Sequence, residues 1–221
     1  MNPTLQLDHV ARTYAPGDRP AVRDVCLEVP EGELLALVGE SGSGKTTLLR
    51  LICGLEKPDA GQVSINQRVV ADDRCWIPPE KRHVGMVFQS GALFPHLTVE
   101  ENIAYGLRKA CRKRRCQRVE SLLCLVGMDG FQKRYPHELS GGERQRLAVI
   151  RALAPEPEIV LLDEPFSNLD PGLRRGLRGE IHRILKELRT TAILVTHDTE
   201  DALHVGDRLA VLRDGRIEQT G

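Results

Sequence analysis

An apolar run at residues 34–38, LLALV, leads directly into GESGSGKTT at residues 39–47, and a helical pattern follows from Lys45. The glycine-rich stretch fits the pattern Gly, four residues, Gly, Lys, Thr, in which backbone N–H groups and a helix N-terminus converge on phosphate oxygens. Gly39, Gly42 and Gly44 admit positive φ and bring bare backbone close to a ligand, with Glu40, Ser41, Ser43 and Thr47 completing the loop. Lys45 adds a point charge for β and γ phosphate oxygens, and Thr46 offers a hydroxyl to Mg²⁺. A Gly/Ser turn matching by accident is the competing reading. The strand before it and Leu48, Leu51, Ile52 and Leu55 at helical spacing after it argue against that. Binding of a nucleoside triphosphate follows.

A chain of 221 residues buries a full core as one domain with room for a subdomain. Lys and Arg number 31, as do Asp and Glu, so no net field draws the chain to nucleic acid or membrane, and any such contact must be local. The N-terminal MNPTLQLDHV lacks the blocks of a secretory signal, and no apolar run approaches the roughly 20 residues that span a bilayer. The expectation is a soluble, cytoplasmic chain. Cys26, Cys53, Cys75, Cys111, Cys116 and Cys124 contain no C-x-x-C spacing, so they read as free thiols; an oxidation-sensitive pair at Cys111 and Cys116, among basic residues, is the alternative.

Strand-like alternation places Leu5 and Leu7, then Val25, Leu27 and Val29, on one face, separated by the loop YAPGDRP at residues 14–20. Tyr14 on that loop is either a packing residue or a platform for a base. Residues 61–70 read as a strand with Val63 and Ile65 facing one way, which suggests a small antiparallel sheet beside the nucleotide-binding core. A further strand at residues 84–88 ends at Gln89, where an amide can reach a ligand crevice, ligate Mg²⁺ or position water; an ordinary loop glutamine is the alternative.

From residue 98 to 127 the pattern turns helical, with Thr98 and Glu101 as a capping box. Within it, residues 108–118 hold seven basic side chains in eleven. With no interleaved aromatic, a solvated helix face is favoured over a nucleic-acid or anionic-lipid patch. LSGGERQR at residues 139–146 opens another helix with a second capping box, Ser140 and Glu143, and two glycines in its first turn. A helix start of this kind suits a phosphate, and as the chain already has one cradle, the second makes most sense on the nucleotide of another subunit. IVLLDE at residues 159–164 reads as a buried strand ending in Asp163, placed for a Mg²⁺ shell, and Glu164, placed to activate or orient water. SNLD at residues 167–170 follows. A long helix with Leu173, Leu177, Ile181, Ile184, Leu185 and Leu188 on one face leads to a strand at residues 192–195 and then His197, again at a strand end. A hairpin turning at Asp214 and Gly215 closes the chain.

This ordered set, the phosphate loop, Gln89, LSGGE, IVLLDE, SNLD and His197, resembles the ATP-binding cassette ATPases over essentially the whole chain. The resemblance implies an α/β fold: a P-loop NTPase (RecA-like) core with a mainly parallel sheet, a flanking antiparallel β subdomain and a helical subdomain. It implies one ATPase domain over residues 1–221, the helical subdomain being inserted at about residues 90–155. It also implies ATP and Mg²⁺ as ligands, with Tyr14 stacking on adenine, Lys45, Thr46 and Asp163 on phosphate and metal, Gln89 linking the γ-phosphate site to the helical subdomain, Glu164 as catalytic carboxylate and His197 as switch histidine. Two cassettes of this family pair head to tail. Ser140, Gly141 and Gly142 are then expected to grip the nucleotide of the partner, with Asp170 lining the seam.

Residues 84–107 look most like the ATPase subunits of bacterial importers for ferric iron, polyamines and related solutes. That likeness implies a separate transmembrane permease, docked around residues 90–98, a second, identical ATPase subunit, a solute-binding protein, and a position on the cytoplasmic face of the cell membrane. Many such ATPases continue into a regulatory domain, and with the chain stopping at Gly221 the expectation is that this regulation is absent. The alternatives are an exporter or lipoprotein-release ATPase, and a soluble cassette protein acting on nucleic acid. Only 51 positions separate Gln89 from Ser140 (140 minus 89), which leaves no room for the long coiled coil of a DNA-clamping type, and nucleic acid is not an expected partner.

Overall fold

The computed structural model describes residues 3–15, 17–108, 110–167 and 169–221. Pro16 of the YAPGDRP loop, Lys109 of the basic run and Asn168 of SNLD lie outside the described residues.

Among the described residues, ten strands form two sheets. β1 (Pro3–Arg12), β2 (Val22–Pro30), β4 (Ala60–Ile65) and β5 (Arg68–Ala71) make an antiparallel sheet in the order β2-β1-β4-β5. β3 (Leu34–Val38), β6 (Val84–Val87), β7 (Ile159–Asp163), β8 (Ala192–Thr196), β9 (Arg208–Arg213) and β10 (Arg216–Thr220) make the second, in the order β10-β9-β3-β8-β7-β6. Every pairing in it is parallel except β9 with β10. The helices are α1 (Lys45–Cys53), α2 (Val99–Ala104), α3 (Arg112–Leu125), α4 (Gly141–Leu153), α5 (Pro171–Glu187) and α6 (Thr199–Val205). No described helix is long and apolar enough to cross a membrane.

The parallel strands read as continuous apolar runs because both faces are covered. Leu35, Leu37, Ile159, Leu161, Ile193 and Val195 enter one core with α1 and the antiparallel sheet. Their neighbours in sequence, Leu34, Val160, Leu162, Ala192 and Leu194, enter the other with α2 to α5. The period of two divides each strand between the cores.

Three local expectations are corrected. Residues 61–70 are two strands, since Asn66 and Gln67 take φ of 46° and 63° and fold β4 back on β5; a two-residue turn with positive φ at both positions is the hairpin geometry. Leu55 is exposed, because α1 ends at Gly54, whose φ of 85° stops the helix one residue earlier. Leu173 is also exposed, lying in the first turn of α5 before that helix reaches the core at Leu177.

Candidate nucleotide site

Register brings the site together. Val38 pairs with Thr196, Asp163 with Val195 and Val87 with Leu162, so the C-terminal ends of four parallel strands are level. The residues that follow, the loop from Gly39, Gln89, Glu164 and His197, therefore emerge along one edge, the crevice where parallel sheets take their ligands. There a cleft of about 470 Å³ is lined by Tyr14, Ala21, Ser41, Gly42, Gly44, Lys45, Thr46, Thr47, Gln89 and Glu164.

The loop is shaped by contacts that tolerate only glycine. At Gly44, with φ of 104°, a Cβ would lie 2.0 Å from the Ala21 carbonyl oxygen, and at Gly39 it would lie 2.2 Å from that of Leu212. The hairpin turn braces the same loop: Gly215 N–H donates to the Ser43 carbonyl at 3.0 Å, and Arg23 N–H donates to the Gly215 carbonyl at 2.7 Å. The sequence showed this hairpin but not its role, which depends on β9 lying beside β3.

Two buried charges of opposite sign belong to the site, Lys45 and Asp163. Lys45 donates from Nζ to the Gly39 and Glu40 carbonyls at 2.7 and 2.8 Å, and burial holds its pKa below the ordinary lysine value against the pull of Glu164 and Asp163. Thr46 Oγ1 donates to Asp163 Oδ1 at 3.1 Å. Burial pushes the Asp163 carboxyl above its usual value, with Glu164 adding to the effect. Ser43 Oγ is buried with no hydrogen-bond partner among the described residues. A desolvated ammonium, a desolvated carboxylate beside a hydroxyl and an unsatisfied buried hydroxyl fit a phosphate group carrying a divalent cation.

Glu164 is bracketed. Gln89 Nε2 donates to its Oε2 at 3.3 Å and to Ser167 Oγ at 3.2 Å, while His197 Nδ1 lies 3.1 Å from its Oε1. The backbone φ of Glu164 is 46°, a left-handed conformation uncommon outside glycine and typical of residues held for function. Tyr14 stands at the lip, its ring half exposed and its hydroxyl tied to Thr47 Oγ1 at 3.0 Å and Glu56 Oε1 at 2.9 Å.

Ser140, Gly141, Gly142 and Asp170 do not join this cleft. Ser140 caps α4 in a full capping box with Glu143, and Gly141 lines a separate groove of about 340 Å³ with Gln89, Ala92, His137 and Leu169. Asp170 caps α5, accepting from Gly172 and Leu173 N–H at 3.1 Å each. Sequence reading missed Ser167, which joins Gln89 to Glu164, and Arg82, whose guanidinium holds the last carbonyls of α1 at Leu51 and Ile52. The basic run is partly used inside the fold, with Arg108 over the Tyr105 ring and Arg118 donating to the Leu153 and Ala154 carbonyls.

The ABC transporter family model matches residues 22–167. The chain belongs to the ABC transporter family. A dimeric ATP-binding cassette solved in a post-hydrolysis state with ADP and Pi is 33% identical with a TM-score of 0.82, over 98% of this chain and 97% of that one. The cassette cbiO1 of Clostridium perfringens, part of the ABC transporter complex cbiONQ, is 27% identical with a TM-score of 0.89, over 100% and 89%. Among curated ABC proteins, the sulfate/thiosulfate import ATP-binding protein CysA of Mycobacterium bovis is 52% identical over 93% of this chain and 58% of its own length. The Fe(3+) ions import ATP-binding protein FbpC of Pseudomonas fluorescens is 50% identical over 98% and 61%. The chain thus spans about three fifths of the length of these curated relatives.

Proposed function

We propose that this ABC cassette binds and hydrolyses ATP and drives solute import through a separate membrane permease. The observation that carries the chemistry is the Glu164 carboxylate, held between Gln89 and His197 beside the Thr46 and Asp163 pair in a glycine-shaped phosphate cleft. Import is supported by relatives named as importer subunits.

In this reading Lys45 exchanges its carbonyl contacts for phosphate oxygens, and Tyr14 offers a ring face to the base. Thr46 Oγ1, Asp163 and the Gln89 amide would hold Mg²⁺, which when bound neutralises charge on the β and γ phosphate oxygens. Glu164 accepts the proton of the attacking water at its carboxylate, and the His197 ring orients that carboxylate through the contact at 3.1 Å. Ser140, Gly141 and Gly142, which do not line their own cleft, serve the nucleotide of a second copy, with Asp170 at the seam. The permease places the cassette at the cytoplasmic membrane face, with a solute-binding protein delivering cargo.

Steady-state hydrolysis by the purified chain tests the chemistry. Glu164→Gln is expected to lower turnover by at least ~100-fold, the usual contribution of a positioned base, with ATP affinity little changed. Parental turnover in that variant removes Glu164 from the reaction.

A further inference from the structure

On the exposed face of the antiparallel sheet, among residues that do not line the nucleotide cleft, two irregularities in the pairing of β1 with β2 lie close together. β1 and β2 pair at Leu7 with Leu27 and at Val10 with Val25, and the register shifts between these pairs. A regular strand sends neighbours to opposite faces, yet Asp8 and His9 are both exposed between buried Leu7 and Val10. His9 achieves this with φ of 50°, and Asp24 on β2 does the same with φ of 53°. Such bulges re-aim side chains. Here they gather Asp8, His9, Asp24 and Cys26 on one surface.

The donor atoms converge. A carboxylate oxygen of Asp8, a ring nitrogen of His9 and Cys26 Sγ all lie within 4.8 Å of one another. His9 Nε2 is 3.8 Å from Asp8 Oδ1. Bonds of about 2.0 to 2.3 Å to a tetrahedral ion set donor separations of about 3.3 to 3.8 Å, so small rotamer adjustments close the site.

The outer contacts are those of a metal site as well. Asp24 Oδ1 lies 2.6 Å from His9 Nδ1, which fixes the ring and leaves Nε2 facing Asp8, the carboxylate–histidine arrangement that supports metal-bound imidazoles. His9 N–H donates to Cys26 Sγ at 3.3 Å, orienting the sulfur. We propose that Asp8, His9 and Cys26 form a site for a divalent transition-metal ion, zinc by its mixed sulfur, nitrogen and oxygen donors, with solvent completing the coordination. Asp24 acts through His9 and positions it.

The full chain, stripped with chelator, is titrated with Zn²⁺ against a chromophoric chelator, and with Co²⁺ as a spectroscopic probe. One saturable equivalent is expected, with a thiolate-to-cobalt charge-transfer band. Cys26→Ser abolishes that band and weakens Zn²⁺ at least ~100-fold; Asp24→Asn weakens it about 10-fold, as loss of an outer-shell partner does. His9→Asn, which tolerates the positive φ, also loses the site. Cys111→Ser and Cys116→Ser leave it intact. All these side chains are exposed, and circular dichroism confirms the fold of each variant. No saturable Zn²⁺ binding, or binding of unchanged affinity in either Cys26→Ser or His9→Asn, overturns the assignment.

Discussion

Asp163 and Lys45 are only 6% exposed each, in a protein whose other acids lie mostly at the surface. Burial raises the Asp163 pKa, so the folded state binds its proton more tightly than the unfolded chain. Stability is therefore lost as pH rises from the ordinary aspartate value through the higher folded one. Asp163→Asn removes that penalty and is expected to raise the melting temperature of the nucleotide-free protein, by about 2–4 °C for each kcal/mol recovered. The same variant is expected to lose the extra stabilisation that Mg²⁺ gives in the presence of ATP. Thermal scans with and without MgATP read both effects, and an unchanged or lower ligand-free midpoint contradicts the first. These residues were legible in the sequence because their chemistry is local: IVLLDE and GESGSGKTT each carry their meaning in a few adjacent positions. Ser167 was not, since its bond to Gln89 spans 78 positions and exists only once β6 and β7 lie side by side.

Helix ends and helix contacts set the next scale. Glu143 accepts from Ser140 N–H at 2.7 Å, and that bond holds its carboxyl below the ordinary glutamate value. Its contribution is present above that ordinary value, 4.5, and is lost as pH falls through the lower folded value. Hydrogen-exchange protection in the first turn of α4 is expected to fall in that acid window, and Glu143→Gln to abolish the pH dependence. Elsewhere α5 and α6 are tied by ions: Arg178 Nε donates to Asp201 Oδ1 at 2.5 Å, Arg174 Nε donates to the same oxygen at 3.0 Å, and Thr196 Oγ1 donates to Asp201 Oδ2 at 3.0 Å. The Asp201 side chain is 2% exposed and that of Arg178 6%. Asp201→Ala removes the most buried partner of the Arg178 guanidinium, leaving it Glu200 at 3.0 Å and Asp198 at 3.5 Å, and is expected to cost about 1–3 kcal/mol, seen as a lower denaturation midpoint at unchanged slope. The capping boxes at Thr98 and Ser140 could be read from residue spacing. The ionic knot could not, because helical periodicity places Leu177 and Ile181 on a buried face without saying which helix meets the other side.

Across the whole molecule, the order of motifs along the chain becomes one edge of one sheet because the strands are parallel and level. Strand alternation indicated the flanking antiparallel sheet, and the family resemblance implied the mainly parallel core. Strand order remained hidden, and with it the brace from Gly215 to the phosphate loop. The cleft holds Lys45, Thr46, Gln89 and Glu164, while Ser140 sits at the start of α4 outside it. In the proposed function this division leaves part of each site to a second copy. Light scattering of Glu164→Gln, with and without MgATP, measures it most directly. A monomer that doubles in mass on adding MgATP is the predicted result. In the same background Ser140→Asp, which keeps a good helix cap but sets a negative charge against phosphate, is predicted to stay monomeric. A monomer despite bound ATP, or a dimer that persists in Ser140→Asp, would contradict the shared site.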